Sequence, residues 1–134
     1  MLRLTAILAF ALFAHGVKDK PIQSAHVAGP NGLEGWTESV KIEEAANEGP
    51  LPVALVIARH GKVIRRINGD PFIWNWKFQP DGRRVAYETG PLHFSITCVL
   101  ADIKTGNWIA SYDCYQALPP DAAAWAEDLE RQTQ

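Results

Sequence analysis

Trp76-Lys77-Phe78-Gln79-Pro80-Asp81-Gly82-Arg83-Arg84-Val85-Ala86-Tyr87 reads as an aromatic strand, a Pro-Asp-Gly turn and a returning apolar strand. Pro80 presets φ for the second position of a type I turn and Asp81 can bond its own backbone. Gly82 takes the left-handed conformation that closes the turn into the next strand. Before the turn, Phe72, Trp74, Trp76 and Phe78 recur at period 2, with Ile73, Asn75 and Lys77 between them. In an ideal strand that spacing puts the four aromatics on one face. Such a row is either sheet core or a partly open platform for sugar rings or a peptide. Trp74, Trp76 and Phe78 are therefore the candidate binding residues.

The flanking sequence continues as strands joined by turns. Trp36, Glu38, Val40 and Ile42 alternate with Thr37, Ser39 and Lys41, a modest strand, and Glu43 to Pro52 is an acidic loop containing Gly and Pro. Val53 to Arg59 and Lys62 to Ile67 are apolar and β-branched around His60-Gly61, a tight hairpin turn in which the His must accept positive φ. Asn68-Gly69-Asp70-Pro71 leads into the aromatic strand, and Glu88-Thr89-Gly90-Pro91 leads out of its partner. Ser95 to Asp102 and Trp108 to Cys114 flank a Lys104-Thr105-Gly106-Asn107 turn. After Pro119-Pro120, Asp121 is placed to cap an Ala-rich helix, with Trp125 and Leu129 at i, i+4 spacing to dock on the sheet. The fold class expected is all-β: an antiparallel meander of about six or seven strands in a single sheet, with a short C-terminal α-helix from about residue 121.

Residues 1–16 carry a short basic start at Arg3, an apolar run from Leu4 to Ala14 and a small-x-small pattern, Ala14-His15-Gly16. This is the pattern of a cleavable secretory signal. The run is too short to span a bilayer, and no later segment approaches the length needed, so no stable membrane insertion is expected after cleavage. Residues 17–35, rich in Gly and Pro without apolar period, read as an irregular arm, and 36–134 as a single β domain. The mature chain of about 118 residues has the size of one domain. The location expected is periplasmic or extracellular.

The net charge of −2 becomes −3 once Arg3 leaves, which gives no reason to expect a nucleic-acid partner. Arg59, Lys62, Arg65 and Arg66, and again Arg83 and Arg84, flank hairpin turns, where charges keep strand edges soluble. If the last hairpin centres on Gly106, Cys98 and Cys114 face each other across it and can form a disulfide, which an oxidising compartment preserves. The alternatives are two buried thiols or one reactive one.

Catalytic patterns are poor. His93 beside Ser95 is the best local pair, with Asp102 or Asp113 as a third member, but no Gly-x-Ser-x-Gly elbow accompanies it. No His or Cys spacing suits a metal, Glu43 and Glu44 precede a loop, and no phosphate-binding Gly loop is present, so neither metal nor cofactor is expected. The leading expectation is an exported non-catalytic module that binds another envelope or extracellular protein or peptide. The alternatives are a carbohydrate-binding module using Trp74 and Trp76, and a hydrolase centred on His93.

Phe78-Gln79-Pro80-Asp81-Gly82-Arg83-Arg84-Val85-Ala86-Tyr87, followed by Val99-Leu100-Ala101-Asp102-Ile103-Lys104-Thr105-Gly106, resembles the WD-like β-propeller repeat of the TolB type, with Gln79 where the family usually has Ser. The resemblance covers about residues 72–112, one four-stranded blade, and Val53 to Ile67 resembles the outer half of a preceding one. A propeller needs roughly four to eight blades. The resemblance therefore implies either a blade reused as a free-standing sheet beneath its helix and arm, or an assembly of several copies. It implies a scaffold for protein or peptide contact and transfers no activity.

Overall fold

The computed structural model describes residues 20–92, 94–116 and 124–132. The signal segment, His93 and the Asp121 cap lie outside the described residues. Among the described residues nine antiparallel strands precede one helix: β1 (Ile22–Gln23), β2 (Val27–Ala28), β3 (Leu33–Lys41), β4 (Pro50–Arg59), β5 (Lys62–Asn68), β6 (Phe72–Phe78), β7 (Arg84–Gly90), β8 (Thr97–Asp102), β9 (Trp108–Asp113) and α1 (Ala124–Gln132). The all-β antiparallel class with a short C-terminal helix is thus observed.

The strands divide between two sheets where one was expected. The first runs β1-β3-β4-β5, with β2 also on β3, and the second runs β6-β7-β8-β9. Leu33, Leu55, Ile57 and Ile67 of the first sheet pack against Ile73, Phe78, Val85, Tyr87, Val99, Ala101 and Ile103 of the second unit. Two sheets, each with an apolar face, bury both by stacking, whereas a single extended sheet would leave them bare. The turn between β5 and β6 is committed to the second sheet. The Asp70 amide donates to Thr89 Oγ1 at 2.7 Å, and that hydroxyl donates to the Phe72 carbonyl at 2.8 Å.

The hairpin turns follow their local chemistry. Asp81 Oδ1 accepts from the amides of Arg83 and Arg84 at 2.9 and 3.2 Å, and Gly82 has φ of 67°. These bonds, the Arg83 amide foremost, hold the Asp81 carboxyl below its ordinary range. His60 has φ of 50° and Gly61 of 82°, as a two-residue hairpin turn requires.

The arm is more ordered than its composition suggests. The Ser24 amide donates to the Thr37 carbonyl at 2.9 Å and the Thr37 amide to Ser24 Oγ at 2.8 Å, so β1 and β2 line the edge of β3. Two-residue strands are too short to produce a readable alternation. Between them His26 stacks on Trp36, ring centroids 4.0 Å apart, and its Nδ1 meets Glu34 Oε1.

On the opposite side of the molecule α1 covers the outer face of the second sheet. Trp125, Ala126 and Leu129 bury against Ala86, Cys98 and Leu100, and Lys77 lies 3.5 Å from Asp128. The layers are therefore sheet, sheet, helix. The close stacking of the sheets depends on Gly35 of β3: a Cβ there would lie 2.6 Å from Trp76 Cη2 and 3.0 Å from Phe78 Cζ. Gly35→Ala is expected to destabilise by about 1–3 kcal/mol through overpacking. Urea unfolding of the variant checks this, and an unchanged midpoint would mean that the interface can yield.

Candidate functional site

The aromatic strand does not carry a single aromatic face. Opposite β7 its register shifts between Ile73, which pairs with Thr89, and Trp76, which pairs with Tyr87. This bulge sets Trp74 and Asn75 together against Glu88, and every residue after it changes sides relative to an unbroken alternation. Ile73, Trp76 and Phe78 consequently face the stacked sheets. Trp76 and Phe78 meet edge to face at 5.1 Å, and Phe78 is buried. Phe72 and Trp74 lie toward the other face, 5.5 Å apart, and the Trp74 indole donates to the Gly90 carbonyl at 3.1 Å. The expected binding set of Trp74, Trp76 and Phe78 is thereby split between two environments.

Trp74 borders a shallow recess of about 350 Å³ with Asn75, Glu88, Pro91, Leu92, Ile96 and Tyr115. Glu88 is only 7% exposed. Asn75 Nδ2 is 3.3 Å from each of its oxygens. Burial pushes the Glu88 carboxyl above its ordinary 4.5, opposed by the Asn75 hydrogen bond. A folded-state value raised above the unfolded one contributes stability that is complete below the unfolded value and lost as pH rises through the folded value. Glu88→Gln keeps an acceptor for Asn75 and removes the buried charge. It is expected to stabilise by on the order of 1 kcal/mol at pH 8 and to change little at pH 4. Thermal melts at the two pH values check this, and equal shifts at both would contradict the charge account.

His93, the centre of the expected hydrolase site, lies outside the described residues, and its expected partners are dispersed. Ser95 is exposed in a left-handed conformation, φ 60°. Asp113 Oδ1 accepts from the Tyr115 amide at 3.0 Å. Asp102 lies at the other end of β8, about 17 Å along the strand from Thr97. It therefore cannot complete a site with Ser95. His26 and His60 line other parts of the molecule, and no group of His, Cys, Asp or Glu among the described residues could hold a metal. Glu43 and Glu44 are exposed in an irregular 3-10 turn, Glu43–Glu48.

Cys98 and Cys114 form a disulfide with Cα atoms 5.4 Å apart. They are diagonal neighbours, not the directly opposed pair that centring on Gly106 implies. Cys98 pairs with Tyr112, and the Cys114 amide donates to the Ile96 carbonyl at 2.9 Å. A register shift between Leu100 and Ala101 moves the centre of the hairpin. The bridge fastens the end of β9 to the start of β8.

Among the described residues β9 is the last strand of its sheet, with no strand paired along its other side. Trp108 and Ile109 are 51% and 52% exposed, and Tyr115 and Phe94 extend the apolar surface past the strand end. Burial pushes the Tyr87 hydroxyl above its ordinary range, opposed by the Trp108 indole. The other edges are guarded. β1 has two residues, β5 bears Lys62, Arg65 and Arg66, and β6 bears Lys77 under the helix. Short edges, charges and covering helices are the usual protections of a sheet edge; β9 carries no charge from Trp108 to Tyr112, and α1 reaches its face where Trp125 stacks on Tyr112. Sequence reasoning treated β9 only as one arm of the cysteine hairpin. Its uncharged run was visible, but a terminal position in a sheet is a tertiary property. In comparison with known proteins, the chain matches no protein-family model and no curated protein.

Proposed function

We propose that this protein is an exported, non-catalytic binding module that takes an extended segment of another envelope or extracellular protein along β9. The observation that carries it is the sheet edge from Trp108 to Tyr112, which among the described residues bears no charge or Pro and pairs with no further strand, and at which Trp108 and Ile109 are exposed. An added strand is held by main-chain hydrogen bonds and selected by pockets for alternate side chains, and aromatic residues are enriched at such contacts. The Cys114 amide bonds β8, so by antiparallel alternation Tyr112 and Ala110 also bond inward while Ser111 and Asp113 turn their amides to the open side. Export is supported by the disulfide, and no helix among the described residues is long and apolar enough to cross a membrane.

Ser111→Pro removes one outward donor and fills the edge, a position at which a strand tolerates proline. Selection of extended peptides from a display library against the mature protein, followed by titration, tests the proposal. Binding is expected to fall at least tenfold in Ser111→Pro with the melting temperature nearly unchanged. Selected peptides that bind Ser111→Pro as tightly as the parent would overturn it.

The propeller-repeat ancestry stays a proposal of the same kind. Its support is a four-stranded meander, β6 to β9, whose turns are Pro80-Asp81-Gly82 and Asp102 to Gly106. An assembly of several chains would be seen as a mass above that of the monomer by light scattering.

A further inference from the structure

Three turns meet at one end of the stacked sheets. The end of β4, the β6–β7 turn and the β8–β9 turn enclose a cleft of about 460 Å³ lined by Arg59, Ile64, Gly82, Arg83, Asp102, Ile103 and Lys104. Residues that flank separate turns in sequence thus converge in space. Arg59 Nη2 donates to the Gly82 carbonyl at 3.2 Å, which ties the guanidinium to the opposite turn. Its Nε is buried without a hydrogen-bond partner. Arg65 donates through Nε to the Ile103 carbonyl at 2.9 Å and through Nη2 to the Lys104 carbonyl, so it clamps the turn that presents Lys104.

The charges do not balance. Asp102 is the one carboxylate lining the cleft among the described residues, and its Oδ2 is occupied by the Thr105 amide and hydroxyl, both at 2.8 Å. Asp81 in the neighbouring turn is bound to Arg84 at 2.7 Å. Arg59, Arg83 and Lys104 therefore line the cleft with a single, internally bonded Asp102, and Arg65 is tied to the turn that carries Lys104. Like charges held together around low-dielectric walls repel one another and concentrate anions. Neutral carbonyls acting as acceptors for Arg59 and Arg65 hold these side chains in place without neutralising them. Ile64 and Ile103 supply apolar walls, and the volume lies in the range of small-molecule sites.

From this convergence we infer that the cleft binds a small organic anion, its carboxylate or phosphate group held by Arg59, Arg83 and Lys104 and its short apolar body against Ile64 and Ile103. Arginine recognises either anion through paired donors, and lysine adds a point charge. The site is separate from the open side of β9 and stands whether or not a peptide binds there.

The test is calorimetric titration of the mature protein with hexanoate and, separately, phenyl phosphate at low salt. Saturable one-site binding of at least one is expected. If both bind, the shared anionic chemistry suffices; if one binds, it identifies the head group. Combined Arg83→Gln and Lys104→Gln should weaken that binding at least tenfold without altering the melting temperature, since neither side chain holds the fold. Arg66→Gln, on the outer face where Arg66 pairs with Glu38, should leave it unchanged. Absence of saturable binding by both probes, or equal weakening in Arg66→Gln, would overturn the site.

Discussion

Replacing Trp125 by alanine is expected to cost about 3–5 kcal/mol of stability, the range for removing a buried aromatic side chain. Trp125 is 5% exposed, stacks on Tyr112 with ring centroids 5.5 Å apart, and shares a cluster with Ala86, Cys98 and Leu100. At nine residues α1 is too short to persist without tertiary contacts. Loss of its main anchor therefore removes packing and loosens the helix that carries Ala126 and Leu129. Urea unfolding should show an earlier midpoint, and far-ultraviolet circular dichroism should show reduced helix signal before global unfolding. A loss below 1 kcal/mol would mean that α1 contributes little to covering the second sheet.

The second large effect concerns the bridge. Changing Cys98 and Cys114 together to serine is expected to destabilise by about 3 kcal/mol, from the unfolded-chain entropy restored when a loop of this length is opened. For a domain of this size that corresponds to a fall in melting temperature on the order of 10–20 °C. The cysteines are 16 residues apart, and Cys98 also belongs to the cluster beneath Trp125. The two substitutions should therefore be non-additive: once α1 is loosened, losing the bridge should cost a different amount than it does in the parent. Melting of the parent, each variant and the combination measures that coupling. An unchanged melting temperature after complete reduction of the parent would contradict the stabilising role. Reduction should also free the end of β9 and thereby weaken any segment bound along it.

Much of the local structure was legible in the chain. Pro80-Asp81-Gly82 and His60-Gly61 specify their turns because φ restriction, side-chain capping and tolerance of positive φ act within four residues. Trp125 and Leu129 mark a docking face because helical periodicity is a local property. The candidate site was less legible. Phe72, Trp74, Trp76 and Phe78 look like one face only if the strand is regular, and the bulge that divides them arises from pairing with β7. The recess around Glu88 needed the partner strand to bring a carboxylate beside Asn75. The basic cleft joins turns whose arginines, taken singly, look like ordinary solubilising charges.

What sequence alone determined, then, is antiparallel β character, the turns, the docking face of the helix and the pairing of two cysteines near one hairpin. These depend on backbone preferences and alternation over a few residues. Tertiary structure decided that there are two sheets and not one, that the aromatic row is divided, that β9 is an open edge and that four cations share an end of the stack. Each of these depends on which strand lies beside which and how two faces fit at van der Waals distance. Side-chain alternation names the faces of a strand but not its neighbours.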